Sequence, residues 1–156
     1  MQGKIVRDQS GASTELGYIF TFLLGVLLLS LFSIWAFGLE TSTREKWNDT
    51  AIDVNMADIA AAVERADLAS REDSSISYTE VVRWRLTEAD ESEFTLTLDD
   101  DGLNLDHPEN ELDRKIPISA TGAGTYDGKI SLTGTTEIWV VYHEGVTYLS
   151  TSRPDF

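Results

Sequence analysis

LGYIFTFLLGVLLLSLFSIWAFGL, residues 16–39, is a run of 24 residues without a charge, Pro, Asn or Gln. As a helix rising about 1.5 Å per residue it reaches about 36 Å, more than a bilayer's hydrocarbon core of about 30 Å. The run therefore predicts a membrane-crossing helix. A helix buried in a soluble core is seldom apolar for so long. A secretory signal peptide has an apolar region of about 7–15 residues that ends at small residues. This run closes instead on Trp35, Phe37 and Gly38, which predicts an anchor that stays with the protein and has membrane lipid as its partner.

The flanks give the anchor a direction. Residues 1–14 carry Lys4 and Arg7 against Asp8, whereas residues 40–156 hold 25 acids and 10 bases. Basic residues stay on the cytoplasmic side of short membrane flanks. The expectation is a single-pass protein of the cell membrane, N-terminus cytoplasmic and C-terminal domain extracellular, with Trp35 in the distal interface. Within the run, Gly17, Thr21 and Gly25 recur every four residues. They would form a ridge of small side chains that lets another helix approach closely in lipid.

Over all 156 residues, 27 acids against 12 bases give a net charge of -15. A field of that sign repels phosphate backbones and excludes nonspecific nucleic-acid binding. With no cysteine, disulfides, thiolate zinc sites and cysteine nucleophiles are excluded too. Only 4 of the 12 bases are Lys. A carboxylate-rich surface whose self-repulsion salt would screen suits a halophilic host.

The residues RDQSGASTELGYIFTFLLG, Arg7 to Gly25, resemble the class III signal of archaeal, and in particular haloarchaeal, type IV pilin-like surface proteins. In that family a short charged leader ends in a small residue and an apolar helix comes almost at once. The resemblance implies that a prepilin peptidase cuts between Gly11 and Ala12 on the cytoplasmic side, leaving the helix on the mature chain. It also implies other pilin-like subunits as partners through that helix. Glu15 invites comparison with the acid that pairs with a neighbouring subunit's N-terminal amine in bacterial pilins. Alternatively, its carboxylate simply reaches water at the membrane edge.

Beyond the anchor the period is helical. Trp47, Ile52, Met56, Ile59, Val63 and Ala66 are spaced by three to five residues, with Asp49, Asp53, Asp58, Glu64, Arg65 and Asp67 turned away. This predicts a continuation of the helix to about Ser70, with one apolar face packed on the C-terminal domain or on a neighbouring subunit. After the polar break 71–75 the period becomes two: Val82, Trp84, Leu86, then Phe94, Leu96, Leu98, then Leu103, Leu105. Ile116 and Ile118 predict a short strand held to an edge by Pro117. Ile130 and Leu132 give another. Residues 137–142 and 146–150 predict a hairpin around His143-Glu144-Gly145, and residues 119–128 a loop or weak edge.

The fold class is thus α+β: a long N-terminal transmembrane and amphipathic helix, then a small antiparallel β-sheet or β-sandwich head of six or seven strands. The expected divisions are a cytoplasmic leader at 1–11, the transmembrane helix at 12–39, the amphipathic extension at 40–71 and the extracellular head at 76–156.

No catalytic constellation is legible, and neither a cofactor nor a resident metal is expected. The acids Asp99, Asp100, Asp101 and Asp106 with Asn104 offer oxygens to a calcium ion, but their spacing is not that of an EF-hand loop and a solvated hairpin tip accounts for them. His107 and His143 stand apart in sequence and read as turn or surface residues. Glu109 and Glu111 are a nearby carboxylate pair in a chain where acids are abundant. Trp84, Tyr126, Trp139, Tyr142 and Tyr148 fit alternate core positions better than an exposed ligand face. Asn48-Asp49-Thr50 is an N-glycosylation sequon. What remains is association: a minor or accessory subunit of a type IV pilus-like assembly. The alternative is a non-polymerising single-pass surface binding protein; an anchored hydrolase ranks behind both.

Overall fold

The structure is a computed structural model that describes residues 9–108, 112–119 and 124–156, with the side chains of residues 9–14 outside that description. A helix, α1, runs from Gln9 to Glu72. The chain divides into two units, Met1–Thr43 and Arg44–Phe156.

In the first unit the helix is held by its own backbone hydrogen bonds, and its described side chains from Glu15 to Thr43 are exposed apart from half-exposed Ala36. Among the described residues the second unit contains the rest of α1 and eight strands. These are β1 (Tyr78–Arg83), β2 (Thr95–Asp99), β3 (Gly102–Asp106), β4 (Arg114–Ile116), β5 (Thr125–Tyr126), β6 (Gly128–Ser131), β7 (Glu137–His143) and β8 (Val146–Ser150). They form two four-stranded sheets, ordered β1-β7-β8-β5 and β4-β3-β2-β6. Pairing is antiparallel except between β5 and β8, which run parallel. The expected α+β class holds, with antiparallel sheets in the head.

One apolar core joins the sheets to the helix. Ile52, Met56, Ile59, Val63 and Ala66 from α1 are fully buried with Phe94, Leu96, Leu98, Leu103, Leu105, Ile138 and Val140. The strand residues alternate in sequence because successive strand side chains point to opposite faces. The helix also meets both edges of the first sheet and one edge of the second. Arg65 binds Glu80 of β1, Asp67 accepts from the Tyr126 hydroxyl of β5, and Arg114 of β4 bridges Asp49 and Asp53. Covering edge strands in this way blunts their tendency to pair with another chain.

Several boundaries differ from the sequence reading. The helical period groups Trp47 with the buried stripe, yet it is 71% exposed. At about 100° per residue it falls some 140° away from Ile52. The same period puts Asp67 on the outer face, yet it is buried, where Tyr126 and Arg71 satisfy it. Strand β1 ends at Arg83, and Leu86 is exposed. Strand β4 stops at Ile116, one residue before Pro117, whose missing N–H cannot extend a ladder, and it is an edge strand as expected. Within 119–128 a short edge strand, β5, emerges, while residues 120–123 lie outside the described set. His143 closes β7, so the hairpin turn is Glu144-Gly145 alone. Both turn residues have positive φ, 48° and 88°, the combination that matches the twist of a two-residue hairpin.

The Arg65–Glu80 contact is a two-pronged fork, Nε to Oε2 at 2.9 Å and Nη2 to Oε1 at 2.6 Å, with the Tyr78 hydroxyl also on Oε2 at 2.6 Å. Chiefly through the Arg65 hydrogen bonds, the Glu80 carboxyl is held below its usual range. A depressed folded value means that this stabilisation is complete above the unfolded carboxyl value of about 4.3 and is lost as pH falls through the folded one. Glu80→Gln should therefore flatten the acid limb of the urea midpoint against pH, while lowering stability at pH 7 by about 1 kcal/mol or less, because the pair is partly solvated.

Candidate functional site: an apolar helix surface

The large apolar side chains of residues 16–39 face outward. Leu16, Tyr18, Phe20, Phe22, Leu29, Ile34 and Phe37 are each at least two-thirds exposed, and none of the large ones between them is buried. The helix is long and apolar enough to cross a membrane. Its hydroxyls suit that environment. Thr21, Ser30, Ser33, Thr41 and Thr43 each donate to the carbonyl four residues earlier, at 2.8–3.1 Å. A hydroxyl bonded inside its own helix needs no water, which removes the main penalty for placing it in hydrocarbon. The ridge of Gly17, Thr21 and Gly25 keeps its four-residue spacing, and a Cβ added at either glycine would meet nothing within 4 Å. Gly11 and Ala12 lie in the first turns of α1, although their side chains fall outside the described residues.

The other candidates fall in the head. Asn48 is half-buried within α1; its Oδ1 accepts from the Glu88 N–H at 2.9 Å, and the Thr50 hydroxyl donates to Lys46 O. The sequon is thus wound into a helix with both its polar side chains engaged. At the β2–β3 turn, Asp99 accepts from Asp101 N–H and from the Asn104 amide, while Asp100 accepts from Tyr126 N–H. These carboxylates close a turn. Among the described residues no group of three or more His, Asp or Glu is placed to hold a metal ion. Glu109 and Glu111 lie outside the described residues.

The histidines sit in different surroundings. His107 differs from the expected turn or surface residue: it is buried against Phe94, ring centres 5.0 Å apart, with Glu93 at 3.5 Å. His143 shares a hydrogen bond of 2.8 Å with the Ser77 hydroxyl and stacks on Phe156 at 4.5 Å. A nucleophilic Ser–His arrangement needs the imidazole's second nitrogen oriented by an acid at about 2.6–3.2 Å. Here Glu144 stands 3.9 Å from Nε2, outside that range, with its side chain 86% exposed.

Of the aromatic set, Trp84 and Tyr142 are buried and Tyr126, Trp139 and Tyr148 are half-buried, as core and sheet-face residues. Sequence reasoning missed Asn55. It is fully buried on α1, donates to Arg85 O at 2.8 Å and accepts from Arg85 N at 2.9 Å. A polar residue one position before Met56 in an amphipathic pattern carries no signal of burial by itself.

Comparison with curated proteins and with solved structures finds no match. Residues 7–150 match DUF7266, a family of unknown function, and the chain belongs to that family.

Proposed function

We propose that the chain is a pilin-like, membrane-anchored surface protein of a halophilic archaeon, a minor or accessory subunit of a type IV pilus-like assembly. Its work is association. The observation that carries this reading is the helix surface of residues 16–39, apolar on all sides, unburied within the chain, and with its hydroxyls satisfied internally. Such a surface requires lipid or other apolar helices around it. The Gly17, Thr21 and Gly25 ridge suits the second state, because small residues let helix backbones approach closely. An N-in orientation with the head outside would keep the basic Lys4 and Arg7 on the cytoplasmic side.

The alternative is a stationary surface binding protein. It draws support from an open groove of about 380 Å³ where Trp47, Ala51, Val54 and Leu86 lie beside Asn48, Arg85 and Glu88. Intact-mass analysis of the native protein, from membranes and from sheared surface filaments, separates the two. The expected result is a chain that begins at Ala12 and is present in the filament fraction. A chain that retains residues 1–11 and occurs in membranes alone would establish the stationary anchor instead.

A further inference from the structure

We propose that folding of the head closes the Asn48 sequon to glycan transfer, so that Asn48 accepts a sugar only while residues 48–50 are unwound from α1. The transfer joins Asn48 Nδ2 to the anomeric carbon of a lipid-linked sugar phosphate or diphosphate. The bond from that carbon to the phosphate oxygen breaks, the lipid phosphate leaves with the electron pair, and Nδ2 gives up one proton. Asn48-Asp49-Thr50 supplies the motif for this reaction. A transfer enzyme has to read the amide and the hydroxyl two residues later together, since those two positions define the motif. In an extended chain, side chains i and i+2 lie on the same side. In a helix they are about 200° apart and do not face each other.

In the folded head the motif is helical. Residues 48–50 lie within α1, with Asn48 half-buried and Thr50 exposed. Each side chain of the motif is committed elsewhere. Asn48 Oδ1 accepts from Glu88 N–H at 2.9 Å, Asp49 Oδ1 accepts from Arg114 Nη2 at 2.6 Å, and the Thr50 hydroxyl donates to Lys46 O at 2.8 Å. Asn48 also stands one turn before Ile52 on the same face of the helix, and Ile52 is fully buried in the core. Bringing Thr50 round to Asn48 therefore breaks the helix next to the point where the core grips it, and gives up the links to Glu88 and Arg114. Glycan transfer and head folding compete for one segment. A site of this kind is open in proportion to the population of locally unfolded chain.

A second sequon in the same molecule provides the comparison. Gly134→Asn makes one with Thr135 and Thr136 in an exposed turn. Gly134 has a φ of 63°, a conformation that asparagine adopts readily, and a Cβ added there meets nothing within 4 Å. Full-length chain in detergent is incubated with a purified oligosaccharyltransferase and a lipid-linked sugar donor, and the occupancy of each site is read from glycopeptide masses. The chain without Gly134→Asn gives the reference rate at Asn48. The expected result is transfer at position 134 at least about tenfold faster than at Asn48, because modification of a closed site follows its open population. Adding Ile52→Asp, which places an unpaired charge in the core, should raise the Asn48 rate by about tenfold or more while position 134 changes little. Equal rates at the two sites in the otherwise native chain, or an Asn48 rate that Ile52→Asp leaves unchanged, would overturn the closure. In the cell Asn48 meets such an enzyme when the head lies outside, as the anchored reading above has it. The detergent assay measures closure by itself, so an inward-facing head would sink that reading and leave these rates as they are.

Discussion

Leu27→Arg combined with Leu28→Arg should shift the protein from the membrane pellet to the soluble fraction after alkaline carbonate extraction. Both residues lie at the middle of the run and are more than half exposed. An arginine at the centre of a membrane helix disfavours insertion by about 2.5–3.5 kcal/mol, and each leucine lost removes about 0.5 kcal/mol of favourable transfer. Two such changes total about 6–8 kcal/mol, comparable with the favourable transfer of the whole run at a few tenths of a kcal/mol per apolar residue. The hydroxyls give no compensation, because each already commits its donor to its own helix. Leu27→Ala with Leu28→Ala is the control: it keeps the positions apolar and should stay in the pellet. Retention of the double arginine chain in the pellet, at the level of the control, would mean that this segment is not what holds the protein to the membrane.

Much of the architecture was legible from period alone. The switch from three-to-five spacing to two-spacing located the end of α1 and the start of the strands, since those periods are set by backbone geometry. The core leucines at 96, 98, 103 and 105 come from alternation. What escaped was whatever depends on partners distant in sequence. Trp47 looked like the first residue of the buried stripe because period does not say where the head's core begins. It begins at Ile52, and Trp47 belongs to the opposite side. Asp67 looked solvent-facing because its partner, Tyr126, lies 59 residues away. The parallel pairing of β5 with β8 has no local signature, because two residues in a glycine-rich stretch show no alternation. For the functional surface, the apolar run was plain in the sequence.

Asn55→Leu should unfold the head more readily than a surface change, lowering its stability by about 1–3 kcal/mol, because the Arg85 N–H and C=O lose a part-buried partner. Asn55 is fully buried, and its amide bonds both polar groups of the Arg85 backbone, with the carbonyl O receiving from Nδ2 and the N–H donating to Oδ1. Trp84, immediately before, donates its backbone N–H to Thr136 just ahead of β7. Arg85 lies beyond the last paired residue of β1, and the side chain from α1 continues the role of a missing strand there. Leucine shares the branched skeleton of asparagine but is the larger side chain, so its cost combines lost polarity with overpacking. Asn55→Ala would open a cavity that admits water, so it should cost less than Leu does on the polar side. Urea unfolding of the full chain in detergent, monitored by tryptophan fluorescence with Trp84 as the buried reporter, measures both. Leu worse than Ala at position 55 is the order expected where a backbone clamp is lost and the site has no room for a larger apolar group. If Ala proves the more damaging, the residue contributes by filling space, and the helix and sheet must be joined chiefly by the apolar core.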